Sequence, residues 1–481
     1  MRTKITGIPI GAEQLRKSLK YSILDGSAYS AMLGLTQDYI VPFALALRAT
    51  TAQIGLLSSV PNLTMSLSQL AAPNLVNRVG SRKGLILPVV FLHALMWLPV
   101  LLTPYLFPGQ KIWWLIGFFA LSTVLGSLGN PAWGSMMADL VPERMRGRYF
   151  GSRGRICGLA TLIFFFIGGA ILYFSAEDIF AGFSILFGSA IIFRLFSWYF
   201  LSRMYEPPLS NTKKEHYSLQ EVLKNIGSSN LGRFIIYVSL INLVTYLAAP
   251  FFAVYMLRDL KFDYMTYVVI TAIATLANMT FLTFWGKRAD RAGNIRVIKI
   301  TSVLIPLAPL LWMGSHEIYY LIPVQVFSGF AWAGFNLAST NFIYDASAPR
   351  KRTQYIAAFN ALSGTAICIG ALLGGYLASH LPSLLGYQLL TLFLISGLAR
   401  GLVAATLLRH ISEVRQVSKV STVEFLFGST SHVRPKKRAK QLPVFYPIFS
   451  PETNKVRVAF SLLPARWRYN AFTPSRDLPP W

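Results

Sequence analysis

Residues Leu140 to Arg155 read LVPERMRGRYFGSRGR, which puts Arg144, Arg146, Arg148, Arg153 and Arg155 into one short stretch of a chain that is only 13% charged. A second basic cluster, SAPRKRTQY from Ser347 to Tyr355, repeats the pattern 206 positions later. At that single offset Asn130 matches Asn336, Asp139 matches Asp345, Arg146 matches Arg352, Tyr149 matches Tyr355 and Arg194 matches Arg400. Gly168-Gly169 likewise match Gly374-Gly375. Nearby offsets extend the register: Pro42-Phe43 answers Pro250-Phe251, and Asn77-Arg78-Val79-Gly80 answers Asp290-Arg291-Ala292-Gly293. The chain reads as a tandem duplication in which each copy carries a basic loop at the same place.

The composition says what kind of copy this is. Of 481 residues, 54% are hydrophobic, and the mean hydropathy is +0.49, more apolar surface than a soluble core needs. Apolar runs of about 20 residues, enough to cross a ~30 Å hydrocarbon layer as helices, occur twelve times. They cover 23–47, 53–76, 84–106, 112–138, 156–175 and 178–202, then 234–257, 264–286, 297–314, 318–345, 354–379 and 385–408. The expected architecture is an all-α integral membrane protein of two six-helix bundles related by a pseudo-twofold axis. Residues 1–22 form a basic amino terminus, 23–202 the first bundle, 203–233 a linker, 234–408 the second bundle and 409–481 a basic tail without sustained helical period.

Charge gives the orientation. Arg78, Arg82, Lys83, the arginines of the opening stretch, Lys287, Arg288, Arg291, Arg296, Arg350, Lys351 and Arg352 all fall in alternate short loops. The intervening loops carry only Arg48, Lys111, Arg258 and Lys261. The positive-inside rule places the first set, the linker and both termini in the cytoplasm. The net charge of +26 and the run Arg434 to Lys440 (RPKKRAK) superficially suggest nucleic acid. Basic residues placed between apolar segments are better explained by a lipid bilayer, so nucleic acid is not an expected partner. The two cysteines, Cys157 and Cys368, lie in apolar runs. No paired-histidine, HExxH, GxSxG or Walker spacing is present. Neither enzyme chemistry nor a cofactor or metal is expected.

These features together resemble the major facilitator superfamily, bacterial type. The resemblance is carried by Leu75 to Lys83 (LVNRVGSRK) after the second span, by its twin Gly286 to Gly293 (GKRADRAG), and by the Asp139 to Arg146 spacing after the fourth span. It covers roughly residues 20 to 410 and leaves the substrate open. It implies a monomeric secondary transporter of the inner, cytoplasmic membrane that moves a small organic solute by alternating access, driven by a proton or other ion. Two other functions fit the same fold: a lipid or lysolipid flippase, and a solute sensor signalling through the tail.

The candidate site residues follow. Asp38 lies inside the first apolar run, where an ionised carboxylate costs on the order of 2.5 to 3.5 kcal/mol unless it meets water, a partner or a proton; it is the candidate proton carrier. The resemblance places the first, fourth, seventh and tenth helices around a cavity, which nominates Gln37, Asn130, Ser135, Asn242, Thr245, Gln325, Asn336 and Asn341. It also nominates a cytoplasmic latch of Asn77, Arg78, Gly80, Arg82, Asp139 and Arg146 in the first half. Its second-half counterpart is Gly286, Asp290, Arg291, Gly293, Asp345 and Arg352. Within the latch Arg146 is expected to answer Asp139 and Arg352 to answer Asp345, because a carboxylate at a helix C-terminus needs a cation. Asn77 stands where the family has Asp, so Asp290 is expected to dominate closure. Gly168, Gly169, Gly374 and Gly375 are expected to form close helix contacts between the halves. Ala371 replaces the Pro of the family's antiporter signature, which weakens an efflux reading. Arg194 and Arg400 are expected to snorkel to lipid headgroups, and His93 to make a buried hydrogen bond.

Overall fold

Among the described residues, ten helical segments are long and apolar enough to cross a membrane. They belong to a computed structural model that describes residues 4–5, 8–9, 12–142, 145–208, 227, 229–347 and 352–415. The side chain of Arg352, most of the 203–233 linker and the tail beyond Arg415 lie outside the described residues. The first half comprises α1 (Ala12–Thr36), α2 (Ile40–Ala46), α3 (Thr51–Val79), α4 (Arg82–Leu106), α5 (Lys111–Leu128), α6 (Asn130–Leu140), α7 (Arg146–Phe174) and α8 (Ile179–Ser202). The second comprises α9 (Asn230–Tyr246), α10 (Phe251–Val254) with a π-helical turn Tyr255–Asp259, α11 (Tyr264–Ala292), α12 (Asn294–Leu311), α13 (Ile318–Ala346), α14 (Arg352–His380) and α15 (Gln388–Leu407). A two-residue antiparallel pair, Lys4–Ile5 with Ile8–Pro9, precedes α1.

The two spans missing from the apolar ten are α1–α2 and α3, and the sequence says why. α1 starts at Ala12, well before the predicted residue 23, because its opening turns are polar and held by an exposed Lys17–Glu13 pair at 2.7 Å. α3 carries Gln53, Ser58, Ser59, Asn62, Thr64, Ser66 and Ser68. A helix this polar spans a bilayer only where its polar face meets protein or a water-filled cavity. With these two the fold is the expected pair of six-helix bundles.

α3 lies along α14, and α7 along α11, so each half contributes one long helix to each side of the boundary. At the end opposite the arginine-rich loops, one apolar core runs through both halves and includes Tyr39, Phe43, Ile54, Phe183, Phe251, Tyr255, Trp312 and Phe393. At the arginine-rich end the first half has its own cluster of Val76, Ile86, Met136, Leu140, Tyr149 and Leu201. The halves are thus sealed together at one end. Outward faces carry exposed apolar side chains such as Leu95, Leu98, Ile163, Ile192, Leu276, Leu398 and Leu402, as a lipid-facing surface requires.

Candidate functional site

The first helix of each half is broken at matching places. α1 stops at Thr36 and α2 begins at Ile40, leaving Gln37, Asp38 and Tyr39 in a turn. α9 stops at Tyr246 and α10 begins at Phe251, because Pro250 has no N–H to continue the ladder and disfavours helix in the residue before it. Pro42 in α2 is tolerated because it lies in the first turn. The first break is clamped on both sides: the buried Tyr39 hydroxyl donates to the Phe165 carbonyl of α7, and the Tyr267 hydroxyl of α11 donates to the Asp38 carbonyl at 2.8 Å. Broken helices at the boundary of a repeat expose backbone polar groups where a solute can meet them.

Between the breaks lies a cavity of about 880 Å³ shared by both halves. Gln37, Asp38, Asn130, Asn242, Thr245, Gln325 and Asn336 line it. Gln37, Asp38, Asn130 and Asn336 are exposed to it, and Gln325 Nε2 donates to the Ile270 carbonyl at 3.0 Å. Among the described residues, the Asp38 carboxylate has neither an ion-pair partner nor a hydrogen-bond partner. Exposed Ser135 on α6 and exposed Thr340 on α13 continue the polar surface toward the arginine-rich end.

The paired glycines sit at the boundary in two layers. A Cβ on Gly168 would lie 2.7 Å from the Tyr39 ring, and one on Gly169 would lie 2.7 Å from Val268 of the other half. In the second half Gly374 presses on the Leu247 carbonyl, while a Cβ on Gly375 would lie 3.1 Å from Gly55 Cα of the first half. In each pair the first glycine accommodates the broken helix of its own half and the second accommodates a helix of the other.

The sequence pattern of the Major Facilitator Superfamily matches residues 22–247 and again residues 234–463, once for each half. The chain belongs to this superfamily. No curated protein sequence matches it. Among solved structures it is similar to a variant of the nucleoside transporter NupG, with 15% identity and TM-score 0.65 over 83% of this chain and 100% of that one. A bacterial homologue of the iron transporter ferroportin in its inward-facing state is 16% identical, with TM-score 0.63 over 83% and 99%. The xylose transporter XylE from E. coli, partially occluded and inward open, is 13% identical, with TM-score 0.60 over 85% and 100%. At these identities the likeness is one of fold.

In this superfamily member the basic loops are built around two carboxylates that follow the last helix of each half. Glu206 Oε1 accepts from the Arg82 N–H at 2.6 Å and the Lys83 N–H at 3.2 Å, and Oε2 from the Ser81 hydroxyl at 2.7 Å. Glu413 Oε2 accepts from the Ile295 N–H at 2.8 Å. A carboxylate at these orphan N–H groups also meets the positive pole of the helix, α4 in one case and α12 in the other.

Asp139 receives Arg82 rather than the expected Arg146: Arg82 Nη1 reaches Asp139 Oδ2 at 2.6 Å and Ser135 Oγ at 3.1 Å, and Nη2 reaches the Pro207 carbonyl at 2.7 Å. Arg146 turns back to the carbonyls of Ala138 and Val141. Asp345 is held by Arg415, with Nε at 2.7 Å and Nη2 at 3.0 Å, and by Asn294 at 2.7 Å. Asp290 is exposed and lies 3.7 Å from the same Arg415. Gly80 and Gly293 end their helices at φ 72° and 88°, Gly286 leaves room for Leu337, and Arg78 and Arg291 lie in the last turns of α3 and α11.

Two nominated cavity residues stand elsewhere. Ser135 serves Arg82, and Asn341 does not line the cavity because five residues beyond Asn336 turn the helix by roughly 140°. Conversely Ser58, Asn62, His93, Trp97, Ser122, Trp312 and Arg400 line it without having been nominated. The polarity of 58–68 was the available signal for the first two.

Arg194 does not snorkel. It is 5% exposed, donates to His93 Nδ1 at 3.0 Å and Ser197 Oγ at 3.0 Å, and stacks 4.4 Å above Tyr29. Ser197 in turn donates to Asp25 at 2.7 Å, and Arg153 stands 3.9 Å from the same carboxylate. Arg400 is buried as well, at 2% exposure. Both arginines are enclosed by protein instead of reaching headgroups: Arg194 meets His93 and Ser197, and Arg400 meets Ser396 and the Thr245 carbonyl.

Proposed function

We propose that this protein is a proton-coupled secondary transporter that carries a small organic solute across the cytoplasmic membrane by alternating access. The observation that carries this reading is the cavity at the two helix breaks, closed off at one end by an apolar core common to both halves. Asp38 is the coupling residue: it stands in the break, open to the cavity and without a counter-charge, where a proton is the available neutraliser. The distribution of Lys and Arg supports an arginine-rich end in the cytoplasm, with the linker and both termini on that side. In that orientation the cavity is open inward. The networks at Glu206 and Glu413 hold each half's basic loop as the halves rock, and a carrier needs its two states within a few kcal/mol of each other. The protein works as a monomer, each chain holding its own cavity.

The test is reconstitution of the full chain into liposomes with a panel of labelled solutes, with and without an imposed pH gradient. Gradient-driven accumulation is expected for the wild type. Asp38→Asn is expected to lose accumulation and to keep solute exchange. Accumulation that ignores the gradient, or that survives intact in Asp38→Asn, would remove the coupling role.

A further inference from the structure

Arg194 and Arg400 are duplicates of one another, yet their surroundings differ. The first half supplies Arg194 with Asp25 through Ser197. Through the register of Pro42 with Pro250, the position matching Asp25 is Arg233, which donates to the His410 carbonyl at 3.3 Å and brings no negative charge. Arg400 therefore has only neutral partners among the described residues: Nε reaches Ser396 Oγ at 3.2 Å and Nη2 reaches the Thr245 carbonyl at 3.4 Å. Nη1 has no protein acceptor among them. Among the described residues no carboxylate lies within ion-pair distance of Arg400, whereas Arg82, also deeply buried, has Asp139.

A guanidinium taken out of water without an anion is costly, and such a group persists where something other than the fold answers it. Arg400 lines the central cavity. Beside it, the Thr245 hydroxyl also lines the cavity, is buried, and has no hydrogen-bond partner. A free guanidinium nitrogen and an unsatisfied hydroxyl on neighbouring helices make a pair of donors with no acceptor. The same cavity is also lined by the apolar side chains of Phe252, Pro309 and Trp312.

We infer that Arg400 and Thr245 form an anion subsite that binds the carboxylate of a partly apolar organic acid, the solute supplying the negative charge that Asp25 supplies to Arg194. A planar carboxylate has two oxygens to accept from two donors and matches the guanidinium fork. A neutral isostere would leave the charge as it is, and a dianionic phosphate would bring more charge and more acceptors than the two donors answer. This assignment rests on the transport reading only for its consequence, since the subsite itself is a statement about binding.

The test measures the melting temperature of the purified full-length protein against acetate, benzoate and decanoate, with benzamide and phenyl phosphate as the neutral and dianionic comparisons. At least one carboxylate is expected to stabilise the wild type where benzamide does not. Arg400→Gln is expected to weaken that effect tenfold or more, and Arg400→Lys to weaken it less. Thr245→Val is expected to weaken it as well, which covers the case in which Arg400→Gln fails to fold. Stabilisation by benzamide as large as that by every carboxylate, stabilisation by phenyl phosphate alone, no stabilisation by any carboxylate, or undiminished stabilisation of Arg400→Gln would each overturn the subsite. Carboxylate binding without movement into liposomes would instead retire the transport reading and leave the subsite standing. Transport of a carboxylate by Arg400→Gln at the wild-type rate would do the reverse.

Discussion

Gly55 of α3 and Gly375 of α14 face each other across the boundary between the halves, so close that a Cβ on Gly55 would lie 2.9 Å from Gly375 Cα and 2.7 Å from the Ala371 carbonyl oxygen. The obstacles are backbone atoms, which cannot rotate away as a side chain can. Gly55→Ala must therefore push α14 outward along its contact with α3, at a cost of about 1–3 kcal/mol for an overpacked site. The expected result is a lower melting temperature in detergent together with slower solute exchange. An unaltered melting temperature would show that the interface has slack.

Two turns that look equivalent in sequence should respond differently. Gly80 and Gly293 both hold a positive φ, at 72° and 88°, where a side chain costs roughly 1–2 kcal/mol. Gly80 has open space around its missing Cβ, whereas a Cβ on Gly293 would lie 2.8 Å from the Glu413 carboxyl carbon. Gly80→Ala is expected to lose only the conformational part. Gly293→Ala should lose that and also displace Glu413 from the start of α12, giving the larger fall in melting temperature.

Arg82→Ala should be among the most damaging changes at the arginine-rich end. It strips the Asp139 carboxylate, the Ser135 hydroxyl and the Pro207 carbonyl of one donor group. Breaking a buried pair from one side costs about 3–5 kcal/mol. Asp139 keeps 30% side-chain exposure, which pulls the expectation to the lower end. In the second half Asn294→Ala should cost nearer 1 kcal/mol, since Arg415 still holds Asp345 at 2.7 Å. Chemical denaturation of the two variants in the same micelle compares them directly.

Asp263 offers a test outside the membrane. Its carboxylate caps α11, accepting from the N–H groups of Met265 and Thr266 at 2.9 Å each and from the Thr266 hydroxyl at 2.6 Å. Partial burial pushes the carboxyl up, but the hydrogen bonds from Thr266 and Met265 outweigh it and hold it below the ordinary aspartate value. A group depressed in this way contributes stability above its unfolded value and loses it as pH falls through its folded value. Asp263→Ala should therefore lose about 1 kcal/mol at neutral pH, and the difference from wild type should close under acid conditions. A difference that is constant with pH would mean that the cap does not titrate as its bonds require.

How far the sequence could be followed is set by what each residue's role depends on. The duplication and the two bundles rest on periodicity and register, which are local properties, and they are where the sequence places them. Of the paired glycines, expected between the halves, Gly169 and Gly375 meet the other half while Gly168 and Gly374 pack against their own. The break in the first helix carries no proline at Gln37 to Tyr39, and both breaks lie inside runs whose overall apolarity reads as one span, so only Pro250 marked the second. The cavity wall was legible on α6, α9 and α13, where an asparagine inside an apolar helix stands out. It was illegible at His93 and Arg400, since their orientation depends on how one helix rotates against its neighbours. The partner of Asp139 was missed for the same reason: Arg146 is nearer along the chain, but Arg82 is nearer across the fold.

The buried network of the first half should behave as a unit. Asp25 is 6% exposed and Arg194 is 5% exposed, joined through Ser197, with His93 accepting from the far side of the guanidinium. Asp25→Asn leaves the Arg194 charge without its carboxylate, and Arg194→Met leaves that carboxylate with the Ser197 hydroxyl and, as its one remaining cation among the described residues, Arg153 at 3.9 Å. Each single variant is expected to lose about 3–5 kcal/mol. The double variant removes both charges and should lose less than the sum, with a coupling of 0.5–3 kcal/mol. Arg400→Met is the contrasting case, because no carboxylate is stranded by its removal, and its melting temperature in the absence of solute should hold or rise. Strict additivity in the first cycle would mean that Ser197 does not transmit charge between the two groups. A large fall for Arg400→Met would mean that its bonds to Ser396 and Thr245 matter more to the fold than its unanswered charge.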